Sequence, residues 1–463
     1  MATGFLHGVE VVELDDGTRP IRAVQSAVIG IVGTAPDADE QAFPLNTPML
    51  VTGSLSQTAK LDTKGEGRGT LPHALDLIFK QIGAIIVVVR VQEGDDESAT
   101  LTNILGGVNA NGAYEGVHAL IGAQSILGQT PRILCVPGFT HQCLVNVSKI
   151  NVTNQGSGYT QATVKIDGNA KAQAIISEGK ITSILMEENG GDYKTVPNVM
   201  IKGDGVGATA QAEISTMFNP VAAELIGIAE RLRAIVVIDA PNITDEAAIK
   251  AAKDFDSKRA YMVDPFVKAF RNGKVLEEPA SAAVAGILAK IDYTQGFWYS
   301  PSNKVINGIV GTARPIDFSL GERSSRANLL NEQKIATIIR ENGYRLWGNR
   351  TLSSDARFAF LSVVRTADMI NDAILRGHMW AVDRNITKNY VSDVSESVNA
   401  YLRDLKAQGA ILGGRCYPDP ELNTQSAIES GKIYFNVEFT PTTPAEHITF
   451  RSRIVNDYLE EIF

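Results

Sequence analysis

The chain has 463 residues, more than one ordinary core organises, so two or three domains are expected. Hydrophobic residues make up 44% and charged residues 21%, a globular composition that excludes a disordered chain. The formal charge of −9, with no block of lysines and arginines, argues against direct nucleic-acid binding.

The N-terminal stretch MATGFLHGVEVVELDD has no basic region followed by an apolar segment, so no signal peptide is expected. Ser26–Pro36 (SAVIGIVGTAP) reads as a buried strand ending in a turn. LPHALDLIFKQIG (71–83) reads as a helix, and Ala84–Val91 as a continuous buried strand after it. That apolar run is far shorter than the ~20 residues of a membrane helix, so no membrane insertion is expected. GVHALIGAQSILG (116–128) reads as helical and PRILCVPG (131–138) as a strand. Much later come the helix NPVAAELIGIAERLR (219–233), the strand Ala234–Pro241, and TDEAAIKAAKDFD (244–256), with Thr244 as N-cap. Apolar strands alternating with helices predict a parallel sheet covered on both faces, an α/β core.

Between Gln142 and Thr216 helical periodicity vanishes and Gly, Thr and Asn dominate. This stretch also repeats. One copy begins at Ile150 and the other at Ile184, with Gly156 matching Gly190 and Tyr159 matching Tyr193. After one extra residue at Pro197, Val164 matches Val199 and Ile166 matches Ile201, and AKAQAII and GATAQAEI close the copies. Two strand–turn–strand units predict a small all-β domain inserted in a loop, 142–216, splitting a core of 21–141 plus 217–352.

From Ser353 a compact α+β domain is expected, 353–463. Phe360, Val364, Ala367, Ile370 and Ile374 share one face of a long helix. SESVNAYLRDLKAQGAI (395–411) gives a second helix. In GKIYFNVEFTPTTPAEHITFRSRIV (431–455), Ile433, Phe435, Val437 and Phe439 alternate with polar residues. After the Pro441–Pro444 turn, Ile448, Phe450 and Ile454 do the same, so two strands are expected. An uncovered strand edge invites pairing with another chain.

Searches for a reaction centre find nothing specific. TKGEGRGTLPHAL (63–75) places glycines before a helix but lacks both the Gly-Lys-Ser/Thr ending of a nucleotide loop and the G-x-G-x-x-G spacing. Six scattered histidines form no H-E-x-x-H, and no G-x-S-x-G elbow occurs. The three cysteines, Cys135, Cys143 and Cys416, lack C-x-x-C spacing and read as reduced thiols of a cytosol. No catalytic residue, metal or cofactor is expected.

Several blocks in order resemble the tail sheath proteins of contractile bacteriophages and related contractile particles. These are HGVEVVELDDGTRPIRAVQSAVIGIVGTAP, GTLPHALDLIFKQIGAIIVVVRV, FWYSPSNKVINGIVGTARPI, LLNEQKIATIIRENGYRLWGNRTLSSD, FLSVVRTADMINDAI and GKIYFNVEFTPTTPAEHITF. They span nearly the whole chain except the 142–216 insertion. The resemblance implies a subtilisin-like sheath core, although VGTA at 32–35 and 310–313 carries alanine where a subtilisin nucleophile would need serine.

The resemblance further implies six-fold rings of this chain stacked helically around a tail tube, meeting a baseplate and a terminator. Such a sleeve forms in a bacterial cytoplasm, becomes part of a virion tail, and drives the tube through a host envelope. It implies extended arms that add strands to neighbouring subunits. The N-terminal arm, residues 1–20, would use Val9, Val11, Val12 and Leu14, and the C-terminal arm Ile448, Phe450 and Ile454. Hinges are expected at Asp15–Gly17 and Pro441–Pro444. In the helix around Ser395–Gln408, Arg403 and Lys406 are candidates to face the tube. Two other readings stay open from the residues: an unrecognised α/β hydrolase, and a carbohydrate-binding protein acting through the β insertion.

Overall fold

Strands apolar along their whole length are stable only where both faces are covered, and the larger half of the chain is built on that requirement. A computed structural model describes residues 21, 25–53, 55–142, 144–191, 193, 195–217 and 219–455. Two units follow from its contacts: Ser26–Gln295 with Tyr299–Leu361, and a second that includes Gly296–Trp298 and the chain from Ser362 onward.

The first unit opens with β1 (Ile29–Thr34), β2 (Met49–Val51), α1 (Leu71–Phe79), β3 (Ile86–Val91) and β4 (Ile133–Cys135). Six strands of the insertion follow: β5 (Leu144–Ser157), β6 (Ala162–Ile166), β7 (Lys171–Ser177), β8 (Lys180–Glu188), β9 (Val199–Gly203) and β10 (Val206–Met217). The core then resumes with α2 (Pro220–Leu232), β11 (Ile235–Asp239), α3 (Asp245–Lys253), β12 (Ala260–Val263) and α4 (Ser281–Thr294). It closes on β13 (Lys304–Val305), β14 (Ile335–Arg340) and β15 (Tyr344–Trp347).

One nine-stranded sheet has the order β13-β15-β14-β12-β11-β4-β1-β3-β2. From β3 through β14 neighbours run parallel, and antiparallel strands finish both edges. Side chains alternate across it. Val32, Val87, Val89, Leu134, Val236 and Ile238 form one layer with Val221, Leu225, Ile228 and Leu232 of α2. The intervening Ile31, Val88, Cys135 and Val237 are also fully buried, on the opposite face. There α1 and α4 pack together so closely that a Cβ on Gly286 would lie 3.0 Å from the Ile78 carbonyl oxygen. Thr244 caps α3, accepting from the Ala247 N–H at 3.1 Å.

Where the sequence predicts a helix over 116–128, the chain forms a 3₁₀ helix, Gly116–Gly122, and then one short α-turn, Ala123–Leu127. Glycines at 116, 122 and 128 interrupt it, each disfavouring continuous α-helix.

The insertion folds as a pseudo-two-fold pair. The first copy supplies β5, β6 and β7, the second β8, β9 and β10, and every ladder joins one copy to the other. β6 pairs with β9 on the dyad, with Val164 opposite Ile201 and Ile166 opposite Val199. Ile150 faces Ala212 in one flanking ribbon and Ile184 faces Ala174 in the other. The matched tyrosines cross over: Tyr159 Oη accepts the Ala208 N–H at 3.3 Å, and Tyr193 Oη the Ala170 N–H at 2.8 Å. Gly156 (φ +63°) and Gly190 (φ +64°) leave room for these contacts; a Cβ on either would lie within 2.7 Å of the same two amide nitrogens. Leu144 pairs with Met217, so the insertion leaves and re-enters the core side by side.

The second unit contains α5 (Leu361–Gly377), α6 (Lys388–Ala407), β16 (Ile411–Pro418) and β17 (Phe435–Pro441). Met369, Ile370 and Ala373 of α5 meet Val398, Tyr401, Leu402 and Leu405 of α6, with Ile411 and Cys416 of β16. α6 begins seven residues before the expected Ser395, capped by Thr387. Its first two turns are mostly exposed, with Val391 and Val394 extending the stripe of Val398, Tyr401 and Leu405.

The strand pairing corrects the sequence reading. β17 does not turn back onto 448–454; it pairs antiparallel with β16, Cys416 opposite Val437, and residues 442–455 form no strand. β16 escaped notice because Gly413-Gly414 breaks its alternation, and glycine is a poor strand former.

Two predictions follow from this architecture. Tyr159→Phe should speed hydrogen exchange at the Ala208 amide, and Tyr193→Phe at Ala170, each by roughly fivefold for one lost hydrogen bond. Faster exchange confined to the mutated copy would contradict the crossed pairing. The second concerns Asp239, buried at the end of β11, which accepts the Ser281 N–H at 2.8 Å and the Ser281 hydroxyl. Burial raises its carboxyl to about 7. Between its unfolded and folded values the native state holds the extra proton, so this group's stabilisation is full at low pH and is lost as pH rises towards 7. Asp239→Asn should therefore gain thermal stability relative to the wild type on going from about pH 5 to about pH 8, in melting curves at both pH values.

Candidate assembly surfaces

The polar ends of the parallel strands, where an α/β sheet places its ligands, show how the core's charges are used. A cleft of about 140 Å³ lies there, lined by Gly69, Thr70, His73, Gly138, Glu278 and Ala282 among others. Its carboxylates are already engaged. Arg271 holds Glu278 through Nε at 2.7 Å and Nη2 at 2.8 Å, and also binds Asp76. His73 Nδ1 lies 3.3 Å from the same Glu278. The glycine loop before α1 is folded onto β1: Asp62 accepts the Glu66 and Gly67 N–H groups, and Thr70 N–H donates to the Thr34 carbonyl at 2.9 Å. Gly69 (φ +85°) sits where a Cβ would be 2.4 Å from that carbonyl, so these glycines serve close packing.

Ser281 and Asp239 are each almost fully buried, and among the described residues no histidine bonds either of them. His141 stacks edge-on against Phe266, ring centroids 5.0 Å apart, and burial lowers its pKa. Among the described residues no cluster of His, Cys, Asp and Glu could hold a metal ion, and no helix is long and apolar enough to cross a membrane.

The surfaces of the second unit are different in kind. Residues 442–455 run along its exterior, with Ile448 65%, Phe450 89% and Ile454 99% exposed. Three large apolar side chains of one parity, with Ser452 between the last two, alternate with Thr449, Arg451 and Arg453 and are left in solvent by the described residues. Exposed apolar side chains grouped in this way are the kind of surface that interaction sites use. Val9, Val11, Val12 and Leu14 lie outside the described residues. Arg403 and Lys406 are both exposed on α6, and Arg403 is tied to Glu396 at 2.5 Å. The structure thus does not gather the expected residues into one site. What the sequence missed is β16, and with it the sheet edge that β17 presents.

Comparison with known proteins identifies the family. The model of the phage tail sheath protein central domain matches residues 208–352, and that of the phage tail sheath C-terminal domain matches 353–455. A putative prophage major tail sheath protein of Pseudomonas aeruginosa is 38% identical over 99% of this chain and 98% of its own length. The tail sheath protein of Escherichia phage P2 is 32% identical over the same shares. In fold, the chain resembles the helical sheath of the anti-feeding prophage in its contracted state, with a TM-score of 0.61, 17% identity, and coverage of 97% of this chain and 99% of that one. The sheath complex of an extracellular contractile injection system, also contracted, gives 0.59 at 15% identity, with 99% of each chain covered. With end-to-end relatives above 30% identity and family models over most of its second half, this chain belongs to the phage tail sheath protein family, as a structural subunit of a contractile tail.

Proposed function

We propose that this chain polymerises into six-fold rings stacked as a helical sleeve around a tail tube, and that shortening of the sleeve drives the tube through a host envelope. The observation that carries the reading is the end-to-end relation to tail sheath proteins, with 99% of the chain aligned. Assembly would take place in the bacterial cytoplasm, with the sleeve meeting a baseplate and a terminator and ending in the virion tail.

Strand addition links the copies in this reading. Ile448, Phe450 and Ile454 are the inward face of the C-terminal arm, and Val9, Val11, Val12 and Leu14 belong to the N-terminal arm. Main-chain hydrogen bonds let an arm hinge at Pro441–Pro444 while staying paired, which a sleeve that changes length requires. The layered α/β sheet is in keeping with a subtilisin-like core, and its buried pair Ser281 and Asp239 has no histidine partner among the described residues. Lys406 and Arg403 are the tube-facing candidates, and the 142–216 module lies outside the contractile core as a surface addition.

The test is negative-stain electron microscopy of the purified protein over a range of concentrations, alone and with its tube protein. Striated hollow tubes or stacked rings are expected. Trimming Glu446–Phe463 should abolish them while leaving the circular-dichroism spectrum and melting temperature unchanged. Full-length assembly by the trimmed chain would remove the arm from the mechanism, and compact monomers even with the tube present would overturn the sheath reading.

A further inference from the structure

The β16–β17 sheet has two outer edges, and they are not equivalent. Asp419 N–H donates to the Tyr434 carbonyl at 2.9 Å, which fixes the alternation of this antiparallel ladder. By that alternation Tyr417–Asn436 and Arg415–Glu438 exchange main-chain hydrogen bonds. Cys416–Val437 and Pro418–Phe435 do not, and point their N–H and C=O groups outward. On the β16 side the outward groups of Cys416 are taken: its N–H donates to Asn399 Oδ1 at 2.7 Å, and its C=O accepts from Asn399 Nδ2 at 2.9 Å. The carboxamide of a helix residue thus occupies both outward groups of Cys416, the central residue of this edge, between Gly414 and Pro418. Two residues on, Pro418 has no N–H to offer. On the β17 side the outward groups belong to Phe435, Val437 and Phe439, and no described residue bonds them.

We propose that Asn399 is an edge plug. It closes β16, so that the sheet accepts a strand from a second copy of this chain only along β17. The inference rests on the strand-addition reading above and adds the edge, the parity and the residue that selects them. Phe435, Val437 and Phe439 turn their side chains towards the α5–α6 cluster. An added strand continues that apolar layer only if its own apolar residues stand opposite these three. In the arm those of one parity are Ile448, Phe450 and Ile454, exposed in their own subunit; Ser452 stands between Phe450 and Ile454, so two of the three meet the β17 trio at once. Thr449, Arg451 and Arg453 then line the outer face beside Asn436, Glu438 and Thr440, with arginines against the exposed Glu438 carboxylate. A one-residue slip would put Arg451 and Arg453 onto the apolar layer, so the parity is fixed.

Cysteine cross-linking in assembled sheath tests this. Thr449→Cys, Arg451→Cys and Arg453→Cys are each combined with Glu438→Cys on β17 or with Arg415→Cys on β16, and mildly oxidised. Disulfide-linked multimers are expected with Glu438→Cys, and about tenfold fewer with Arg415→Cys, the factor for two main-chain hydrogen bonds withheld. Adding Asn399→Ala should raise cross-linking at Arg415→Cys towards the level at Glu438→Cys. Asn399→Asp, which keeps the acceptor for Cys416 N–H but loses the donor, should give an intermediate level and serves if the alanine variant fails to fold. Preferential linkage at Arg415→Cys with Asn399 intact would overturn the edge assignment, and no change on replacing Asn399 would overturn its role as plug. Assembled sheath that cross-links at neither edge would refute strand addition itself, and the assignment with it.

Discussion

A main-chain N–H or C=O that has no partner among the described residues is the constraint around which the second unit is organised. Two strands cannot make a self-sufficient sheet, because each has two edges and only one is used. β16 and β17 handle this in opposite ways. The first spends an asparagine and a proline on its outer edge, while the second keeps three residues' worth of donors and acceptors on offer. The adjoining segment 442–455 carries a complementary defect, an apolar face with nothing of its own to cover. In the strand-addition proposal an open edge and an uncovered apolar segment satisfy each other between copies, which is the economy of a polymer subunit.

The first unit stands on a different interaction, burial of a parallel sheet on both faces. Its charged groups at the strand ends are held in closed networks: Arg271 between Glu278 and Asp76, and Arg314 bridging Asp245 and Asp264 while Arg326 grips Asp245 at 2.8 Å. In a fold class whose strand ends commonly host ligands, this wiring converts the usual site into fastening. A stiff core and adhesive appendages suit a part that moves as a rigid body while its connections persist.

The legibility of this chain in its sequence follows the strength of local signals. Continuous apolar runs such as Ile86–Val91 and capped helices such as α3 were readable because pattern and packing agree there. The repeat at 142–216 was visible in its matched glycines and tyrosines, though not that every ladder would cross between copies; that is a fact of pairing, which local pattern does not encode. β16 is hidden in the sequence because Gly413-Gly414 interrupts its alternation, which leaves 448–454 as the alternating segment next to β17. Asn399 could not be read at all. A lone asparagine on a helix has many uses, and its meaning appears only when Cys416 is brought alongside.

The adjacency of Leu144 and Met217 has a consequence for what the chain can carry there. An insertion whose ends emerge hydrogen-bonded to one another closes its own loop, so the host chain loses almost no additional entropy on folding whatever the insertion's length. The junction is therefore a socket. An engineered domain with neighbouring termini could be seated there without re-optimising the sheet beneath.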